Sequence, residues 1–448
     1  MPENRFRSLP SVGRIINDRR LRSRRTGGLL APIAREVLAA ARESVASGRV
    51  APTYDALVDQ VDRRAASLLA PPLRSLINAT GVIIHTNLGR VPLAEEAIAA
   101  MATVSRGYSN LELDIGPGAR GSRHTMLEPL LRALTGGDAA MAVNNNASAL
   151  LLALSALASG HEVVLSRGQS VEIGGGFRIP DVMRQSRARL VDVGTTNRTT
   201  VDDYACAIGP KTVALMRVHP SNFRVVGFTG APALADIARV AHDAGVVLID
   251  DIGSGCLLNT SRYGLAAEPT PAASIADGAD LVLFSGDKLL GGPQGGLIVG
   301  RADLVTRLKK HPLARAVRLD KSSIAGLAAT LLIYLRGEAE EKIPVWQMIA
   351  MPLDVIAARA EQLASASAAA RAVDSRSMIG GGSLPGESLP TRAVALEPRR
   401  PGASTVARRL RARGIIARVE DERVLLDPRT IAPGEDESVA AAIRDVLA

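Results

Sequence analysis

Three polar positions of this sequence each follow an apolar run, and their residue types could do chemistry together. Lys288 follows DLVLF and precedes GGPQGG, Asp250 and Asp251 follow VVLI, and Asn144 to Asn146 open NNNASALLLAL. A lysine that is partly desolvated at a strand end has a depressed pKa and can attack a carbonyl carbon to form a Schiff base. A lysine in an exposed loop would not have this depressed pKa. The residue types at the two other positions therefore decide between a reactive lysine and an ordinary loop lysine.

The acidic pair and the asparagine turn both favour a bound phosphorylated ring. An aspartate at the end of a buried run needs a partner. A protonated pyridine nitrogen is one, as in pyridoxal-phosphate enzymes, while a metal ion or a salt bridge would also satisfy it. The NNNASA turn offers backbone N–H groups and a helix dipole to a phosphate, although such residues also serve as simple helix caps. A phosphate turn, an acid and a lysine in this order are typical of fold-type-I pyridoxal-phosphate enzymes.

The segments around these positions alternate between β-branched runs and helical patterns from about residue 78 to 300. Continuous apolar strands followed by polar or glycine-rich turns predict an α/β fold with a mostly parallel sheet covered by helices. Ligands of such sheets bind at the carboxyl ends of the strands, where the candidate residues fall. We predict a basic helical unit at 1–70, ended by Pro71-Pro72, a large catalytic domain at 71–340 and a small α/β domain at 341–448.

The start of the chain carries most of its formal net charge of +9. Residues 1–49 contain four acidic residues and eleven arginines, which run from Arg5 to Arg49 and include Arg19, Arg20, Arg22, Arg24 and Arg25. An ordinary solvated surface could carry such a run. Its concentration in one terminal segment instead favours a polyanionic partner.

Composition argues against several other classes of protein. With 47% hydrophobic residues the chain is globular, and its apolar runs fall short of the roughly 20 residues that a membrane span needs. MPENRFRSLP lacks a signal-peptide hydrophobic region, and Cys206 and Cys256 show no disulfide or zinc spacing. We expect a soluble protein in the reducing cytoplasm. A metal enzyme is the weakest alternative, because the six histidines show no ligand spacing: His85, His124, His161, His219, His242 and His311.

Motifs along nearly the whole chain resemble those of the bacterial selenocysteine synthase family, the L-seryl-tRNA(Sec) selenium transferases. They are LPSVGRII (9–16), INATGVIIHTNLGR (77–90), RIPDVMRQS (178–186), VGTTNRT (193–199), HPSNFRVVGFTG (219–230), IGSG (252–255), FSGDKLLGGPQ (284–294), HPLARAVRLDK (311–321) and GGGSLPGE (380–387). One departure is Arg187, which stands at a usual glycine. The resemblance implies a pyridoxal 5'-phosphate enzyme that converts seryl-tRNA(Sec) to selenocysteinyl-tRNA(Sec).

The resemblance also implies roles for individual residues. Lys288 would carry the cofactor, Asp251 rather than Asp250 would pair with its ring nitrogen, and Asp287 would position the lysine or a reacting group. Asn146, Ala147 and Ser285 are expected to hold the cofactor phosphate. Arg90, Arg315 and Arg318 match family arginines that hold the phosphate-like group of the selenium donor; alternatively, Arg315 and Arg318 form a solvated helix face.

The implied reaction passes through an aminoacrylyl group, uses selenophosphate and takes place in a homodecamer with active sites between subunits. The basic helical unit would then bind the tRNA. Two alternatives remain at this stage. One is a small-molecule pyridoxal-phosphate lyase or aminotransferase, which would give the arginine-rich unit no purpose. The other is an RNA-binding protein with a decayed enzyme core, which the presence of Lys288, Asp251 and the arginines opposes.

Overall fold

The computed structural model describes residues 6, 8–24, 28–174, 176–398 and 401–447. Arg5, Arg7 and Arg25 of the basic segment lie outside the described residues. The chain divides into two compact units, residues 1–75 and residues 76–448. Each unit has hydrophobic residues buried in its own interior.

The first unit is helical. Its elements are the helices Val12–Ile16, Leu30–Ala46 and Tyr54–Leu69 and the 3-10 helix Arg19–Arg24. Apolar residues at helical spacing bury one face of each long helix, with Val37 and Val58 fully enclosed. Arg20 pairs with Asp18 at 3.1 Å and with Asp55 at 2.9 Å, so this arginine is neutralised within the unit.

A seven-stranded sheet forms the centre of the second unit, as the alternating pattern predicts. In spatial order its strands are Ala139–Val143, Gly296–Gly300, Leu281–Ser285, Val247–Gly253, Thr212–Val218, Glu162–Ser166 and Arg189–Val193. All neighbours pair in parallel except Gly296–Gly300, which is antiparallel to the strand on each side. The carboxyl ends of the parallel strands therefore lie along one edge.

Helices cover both faces of this sheet, because the strands bury side chains on both sides. Val282 and Phe284 pack into one hydrophobic cluster, while Leu281 and Leu283 pack into another on the opposite face. The helices of this region are Glu95–Ser105, Glu128–Thr135, Asn146–Leu157, Ile179–Gln185, Val201–Ala207, Leu234–Asp243, Pro271–Ala276, Ala302–Lys310, Pro312–Ala316 and Lys321–Leu335.

The C-terminal part forms a smaller, mostly antiparallel sheet. Its order is Arg418–Glu420, Arg423–Leu426, Ser388–Leu396, Ala370–Gly380 and Val82–Ile84. Its helices and those leading to it are Ala339–Lys342, Pro344–Ala350, Leu353–Ala364, Ala403–Ala412 and Asp436–Leu447. Val82–Ile84 joins this sheet in parallel although the sequence places it near the start of the large domain. The segment that leads to Arg90 is thus attached to the C-terminal sheet.

No helix in the described part of the chain is long and apolar enough to span a membrane. Across those same residues, no group of three or more His, Cys, Asp or Glu side chains is arranged to hold a metal ion.

Candidate active site

Lys288 lies just beyond the strand Leu281–Ser285, in a cavity of about 620 Å³ that we call the lysine cavity. Its lining includes Thr86, Asn87, Arg90, Asn145, Asn146, Ala147, Phe177, His219, Ser221, Asp251, Gly253, Ser285, Asp287, Lys288 and Gln294. The Lys288 residue is only 7% exposed. The structure therefore encloses an amine at the carboxyl edge of the sheet.

Gly382, in the GGGSLPGE segment, packs directly against the Lys288 side chain. Its φ of +85° lies in the left-handed region, and a Cβ there would be 2.8 Å from both Cε and Nζ of Lys288. Only glycine meets both conditions without strain. The C-terminal part of the chain thus closes over the lysine.

Burial is the main reason why the pKa of Lys288 is lowered, and the charge of Arg90 lowers it further. The nearby carboxylates of Asp287, Asp251 and Glu268 act in the opposite direction. A lower pKa raises the fraction of neutral amine, which is the form that attacks a carbonyl or accepts a proton.

The two adjacent aspartates point to opposite faces of the strand Val247–Gly253, as successive strand residues do. Asp250 is fully buried and accepts two hydrogen bonds from Arg217, at 2.7 and 2.6 Å. Asp251 instead lines the lysine cavity, where its Oδ1 accepts a hydrogen bond of 2.8 Å from Asn146 Nδ2. Asp250 is therefore held by an internal salt bridge, whereas Asp251 faces the space beside Lys288.

Burial raises the pKa of Asp251 to about 6, even though the hydrogen bond from Asn146 and the charge of Lys288 lower it. Such a carboxyl group gains stability from a cation placed next to it. A protonated ring nitrogen in the lysine cavity would be a partner of this kind.

The helix Asn146–Leu157 presents its N-terminus to the same cavity. Asn145 is the N-cap, and its side chain accepts a hydrogen bond of 2.8 Å from the N–H of Ser148. The first-turn N–H groups of Asn146 and Ala147 have no acceptor within a helix, and the helix dipole favours an anion there. Ser285 lies in the same lining, so the three expected phosphate ligands lie around one cavity.

Arg90 and Asp287 form a charged pair at the wall of the lysine cavity. Arg90 Nε lies 3.7 Å from Asp287 Oδ2, and its Nη1 donates to the carbonyl oxygen of Gly381 at 3.3 Å. The φ of Arg90 is +78°, which is uncommon for a residue with a side chain and costs roughly 1–3 kcal/mol. Asp287 is thus placed to orient Arg90 beside the lysine.

Arg315 and Arg318 line a different cavity of about 230 Å³, which we call the arginine cavity. It is also lined by Glu112, Arg120, Arg123, His124 and Lys309, and it shares none of its lining residues with the lysine cavity. The helix Pro312–Ala316 ends before Arg318, which forms a bridge with Val143 instead. The two arginines therefore do not form one helix face, and one chain alone does not bring them into the cavity of Arg90.

Sequence reasoning missed several residues of the lysine cavity, among them His219 and Ser221. Both follow the strand Thr212–Val218, so the rule that singled out the other strand ends could have found them. The N–H of His219 donates to the carbonyl oxygen of Asp251 at 2.8 Å. A Cβ added at Gly253 would lie 3.3 Å from Oγ of Ser221 and 3.8 Å from Nζ of Lys288, so both side chains border this glycine.

Comparisons with known proteins agree with this architecture. The family model described as L-seryl-tRNA selenium transferase matches residues 76–432. The L-seryl-tRNA(Sec) selenium transferase of Moorella thermoacetica is 44% identical over 458 aligned residues, covering 99% of this chain and 97% of the relative. That of Carboxydothermus hydrogenoformans is 42% identical and covers 97% and 96%.

Among solved structures, D-glucosaminate-6-phosphate ammonia-lyase is similar in fold, with a TM-score of 0.60 and 23% identity over 85% of this chain and 97% of that one. The expected fold-type-I α/β architecture is confirmed. From the family match and the nearly full-length relatives, we conclude that this chain belongs to the L-seryl-tRNA selenium transferase family.

Proposed function

We propose that the protein converts L-seryl-tRNA(Sec) to L-selenocysteinyl-tRNA(Sec), with pyridoxal 5'-phosphate as its cofactor and selenophosphate as the selenium donor. The observation that carries this proposal is the lysine cavity, which brings together Lys288, Asp251 and the N-terminus of the helix Asn146–Leu157. The nearly full-length relatives are named as enzymes of this activity.

The residues of the lysine cavity fit pyridoxal phosphate at three points. Lys288 offers an amine to the aldehyde, Asp251 offers a buried carboxylate to the ring nitrogen, and the helix N-terminus offers N–H groups to the phosphate. Asn146 Oδ1 is buried in this wall without a hydrogen-bond partner, as expected where a polar group is to bind. When bound, the cofactor supplies an electron sink for charge that develops at the seryl Cα.

Lys288 is the group that we expect to move the Cα proton. Its lowered pKa keeps Nζ available as a base, and the contact with Gly382 holds the side chain inside the cavity. Asp251 stabilises a proton on the ring nitrogen through its buried carboxylate. Removal of the Cα proton and of the β-hydroxyl, together one molecule of water, would then leave the seryl group of the tRNA as an aminoacrylyl group. The enclosing loop of Gly382 limits the access of water, which would otherwise compete with selenium.

The three arginines are proposed to hold selenophosphate between two subunits of a homo-oligomer, a homodecamer by family resemblance. Arg90 lines the lysine cavity, while Arg315 and Arg318 line the arginine cavity. A second copy that places its arginine cavity opposite the first copy's Arg90 would unite them. Their planar guanidinium groups suit a tetrahedral oxyanion.

The helical unit is proposed to bind the tRNA through phosphate contacts. Arg19 and Arg22 are exposed there, whereas Arg20 is already paired with Asp18 and Asp55. Affinity should therefore fall steeply with salt. Removing residues 1–75 should weaken tRNA binding while cofactor binding persists; an unchanged tRNA affinity would contradict this assignment.

Turnover of the purified, cofactor-loaded protein tests the proposed function. With seryl-tRNA(Sec) and selenophosphate it should form selenocysteinyl-tRNA(Sec), and free serine should not replace the charged tRNA. Conversion of a free amino acid or amino sugar, with none of the charged tRNA, would instead establish a small-molecule lyase.

Mixing inactive variants tests the shared arginine site. Arg90→Ala and the double variant Arg315→Ala/Arg318→Ala should each lose selenium transfer. If the site lies between subunits, hybrids of the two variants should regain part of the activity, because some interfaces then contain all three arginines. Hybrids that stay as inactive as each variant alone would contradict a shared site.

A further inference from the structure

A second, open cavity of about 390 Å³ lies beside the lysine cavity, and we call it the side cavity. It forms at the ends of the strands Glu162–Ser166, Arg189–Val193 and Thr212–Val218 and is largely apolar. His219 lines both cavities. The segment that packs on Lys288 through Gly382 continues into Leu384 and Glu387, which line the side cavity.

Hydrogen bonds fix the walls of the side cavity to one another. Glu387 Oε2 accepts from the N–H of Ala266 at 3.1 Å, and Oε1 lies 3.7 Å from Arg224 Nη1, so this carboxylate joins three segments. On the other side, the side chain of Asn197 donates to the carbonyl oxygen of Phe228. The cavity is therefore a constructed feature of the fold, in which loops from both sheets meet.

The lining offers stacking surface, cations and an unused acceptor. Phe223 is half-buried and Arg198 and Arg224 are exposed at the edge. The Glu268 side chain is 2% exposed, and its Oε1 has no hydrogen-bond partner, although it lies 3.4 Å from His219 Nε2. Such an atom requires a donor, and a bound ligand with hydroxyl groups can provide one.

These features match the recognition of an unpaired nucleotide. Single-stranded bases stack on aromatic rings and guanidinium planes, and cations contact the adjoining phosphates. In the proposed substrate, the seryl group is esterified to the ribose of the 3'-terminal adenosine. That nucleoside is only a few bonds from the seryl Cα and must lie close to Lys288 during the reaction.

We propose that the side cavity binds the 3'-terminal adenosine of the tRNA. The base stacks near Phe223, a ribose hydroxyl donates to Glu268, and Arg198 and Arg224 contact the phosphate that joins the terminal nucleoside to the rest of the tRNA. This inference rests on the proposed function and names the part of the substrate that the side cavity recognises. The adenosine site also accounts for the position of the side cavity, which adjoins the lysine cavity at His219.

Binding of two uncharged transcripts to the full-length protein tests the proposal independently of turnover. One is tRNA(Sec) with a complete 3' end, and the other lacks only the terminal adenosine; both are measured by fluorescence anisotropy at one salt concentration. Loss of the adenosine should weaken binding to the wild type by roughly tenfold, the scale of one stacked base. The Phe223→Ala variant should bind the two transcripts within about threefold of each other.

Phe228→Ala is the matched control, because Phe228 lies in the same loop, is 95% exposed and is not part of the lining. It should discriminate between the transcripts as the wild type does. Arg198→Ala, at an exposed position, gives a second variant in case Phe223→Ala is poorly folded, and it should also reduce discrimination. Equal discrimination by wild type, Phe223→Ala and Arg198→Ala, or none by the wild type, would overturn the proposal.

Turnover of seryl-tRNA(Sec) by the same wild-type preparation separates the two proposals. Turnover without any dependence of tRNA binding on Phe223 or Arg198 would remove the adenosine site and leave the proposed function intact. Absence of turnover by the loaded wild type would overturn the proposed function itself.

Discussion

The lysine cavity and the arginine cavity lie in the same unit of the protein, but their polar groups are placed differently. Lys288 and Asp251 are almost fully buried. Burial lowers the pKa of Lys288 and raises the pKa of Asp251, so it favours the neutral form of both groups. Arg315 and Arg318 are exposed and line an open, mostly basic pocket. The lysine cavity is suited to proton transfer by groups of one chain. The arginine cavity can bind an anion, but Lys288, the proposed base, is not part of it.

This difference also explains why one site is complete in a single chain and the other is not. The groups of the lysine cavity converge because their strands end at one edge of a sheet. Arg315 and Arg318 do not follow a strand of this sheet and line a separate cavity, so a complete donor site depends on what faces the arginine cavity.

Replacing Lys288 should have the largest effect on activity. Lys288→Ala removes the proposed base, so the turnover number should fall by roughly 10³-fold or more, and the visible absorbance of the lysine-bound cofactor should be lost. Turnover assays and an absorbance spectrum measure both effects. Lys310→Ala, at an exposed position, is the control and should change neither. Full activity of Lys288→Ala would exclude the lysine cavity as the catalytic site.

Replacing Asp250 should affect folding more than chemistry. Asp250→Asn removes the anionic partner of Arg217 from a largely buried ion pair. The free energy of unfolding should therefore fall by about 3 kcal/mol. Urea unfolding measures this change, with Asp251→Asn as the matched neighbour. If Asp251→Asn were the more destabilised of the two at neutral pH without cofactor, the assignment of Asp250 to structure and Asp251 to the site would be wrong.

The pH dependence of stability should reveal the buried carboxyl group of Asp251. Its pKa rises from 3.8 to about 6 on folding, so the folded chain retains a proton that the unfolded chain releases. Wild-type stability is therefore lost as pH rises between those values. Relative to wild type, cofactor-free Asp251→Asn should gain up to about 3 kcal/mol across that window, at 1.36 kcal/mol per pKa unit.

Urea unfolding at several pH values between 4 and 7 would show this gain. Asp277→Asn, at an exposed position, should instead follow the wild-type curve. Parallel curves for wild type and Asp251→Asn would mean that the carboxyl group is not held in the neutral form.

The smallest effect is expected at Arg187, which lines neither cavity. Its φ of +66° is left-handed, which explains why glycine suits this position. Arg187→Gly should raise the free energy of unfolding by about 0.5–1 kcal/mol. Arg336→Gly is the opposite control, since φ there is −83° and glycine should destabilise by a similar amount. If urea unfolding showed that both variants raise, or both lower, the free energy of unfolding, backbone strain at Arg187 would be contradicted.

Local pattern was enough to predict the central sheet and the core of the lysine cavity. The strands near Asn146, Asp251 and Lys288 are continuous apolar runs, and parallel strands place their ends together. His219 and Ser221 follow the same rule, but their residue types alone did not point to a role. The order of strands brought them into the cavity.

Contacts between distant segments could not be predicted in this way. Gly382 reaches Lys288, and Arg90 reaches Gly381, because Ala370–Gly380 pairs with Val82–Ile84, nearly three hundred residues earlier in the chain. No periodicity within either segment encodes that pairing. The expectation that Arg90, Arg315 and Arg318 share one site came from the family resemblance. It stays a prediction that two subunits bring these arginines together.

The most direct test of the central claim is an absorbance spectrum of the full-length, pyridoxal-phosphate-loaded protein, recorded before and after addition of seryl-tRNA(Sec). Our account predicts a visible band that depends on Lys288 and shifts with the charged tRNA but not with free serine. A band that shifts with free serine or an amino sugar and ignores the charged tRNA would contradict it, as would the absence of any band.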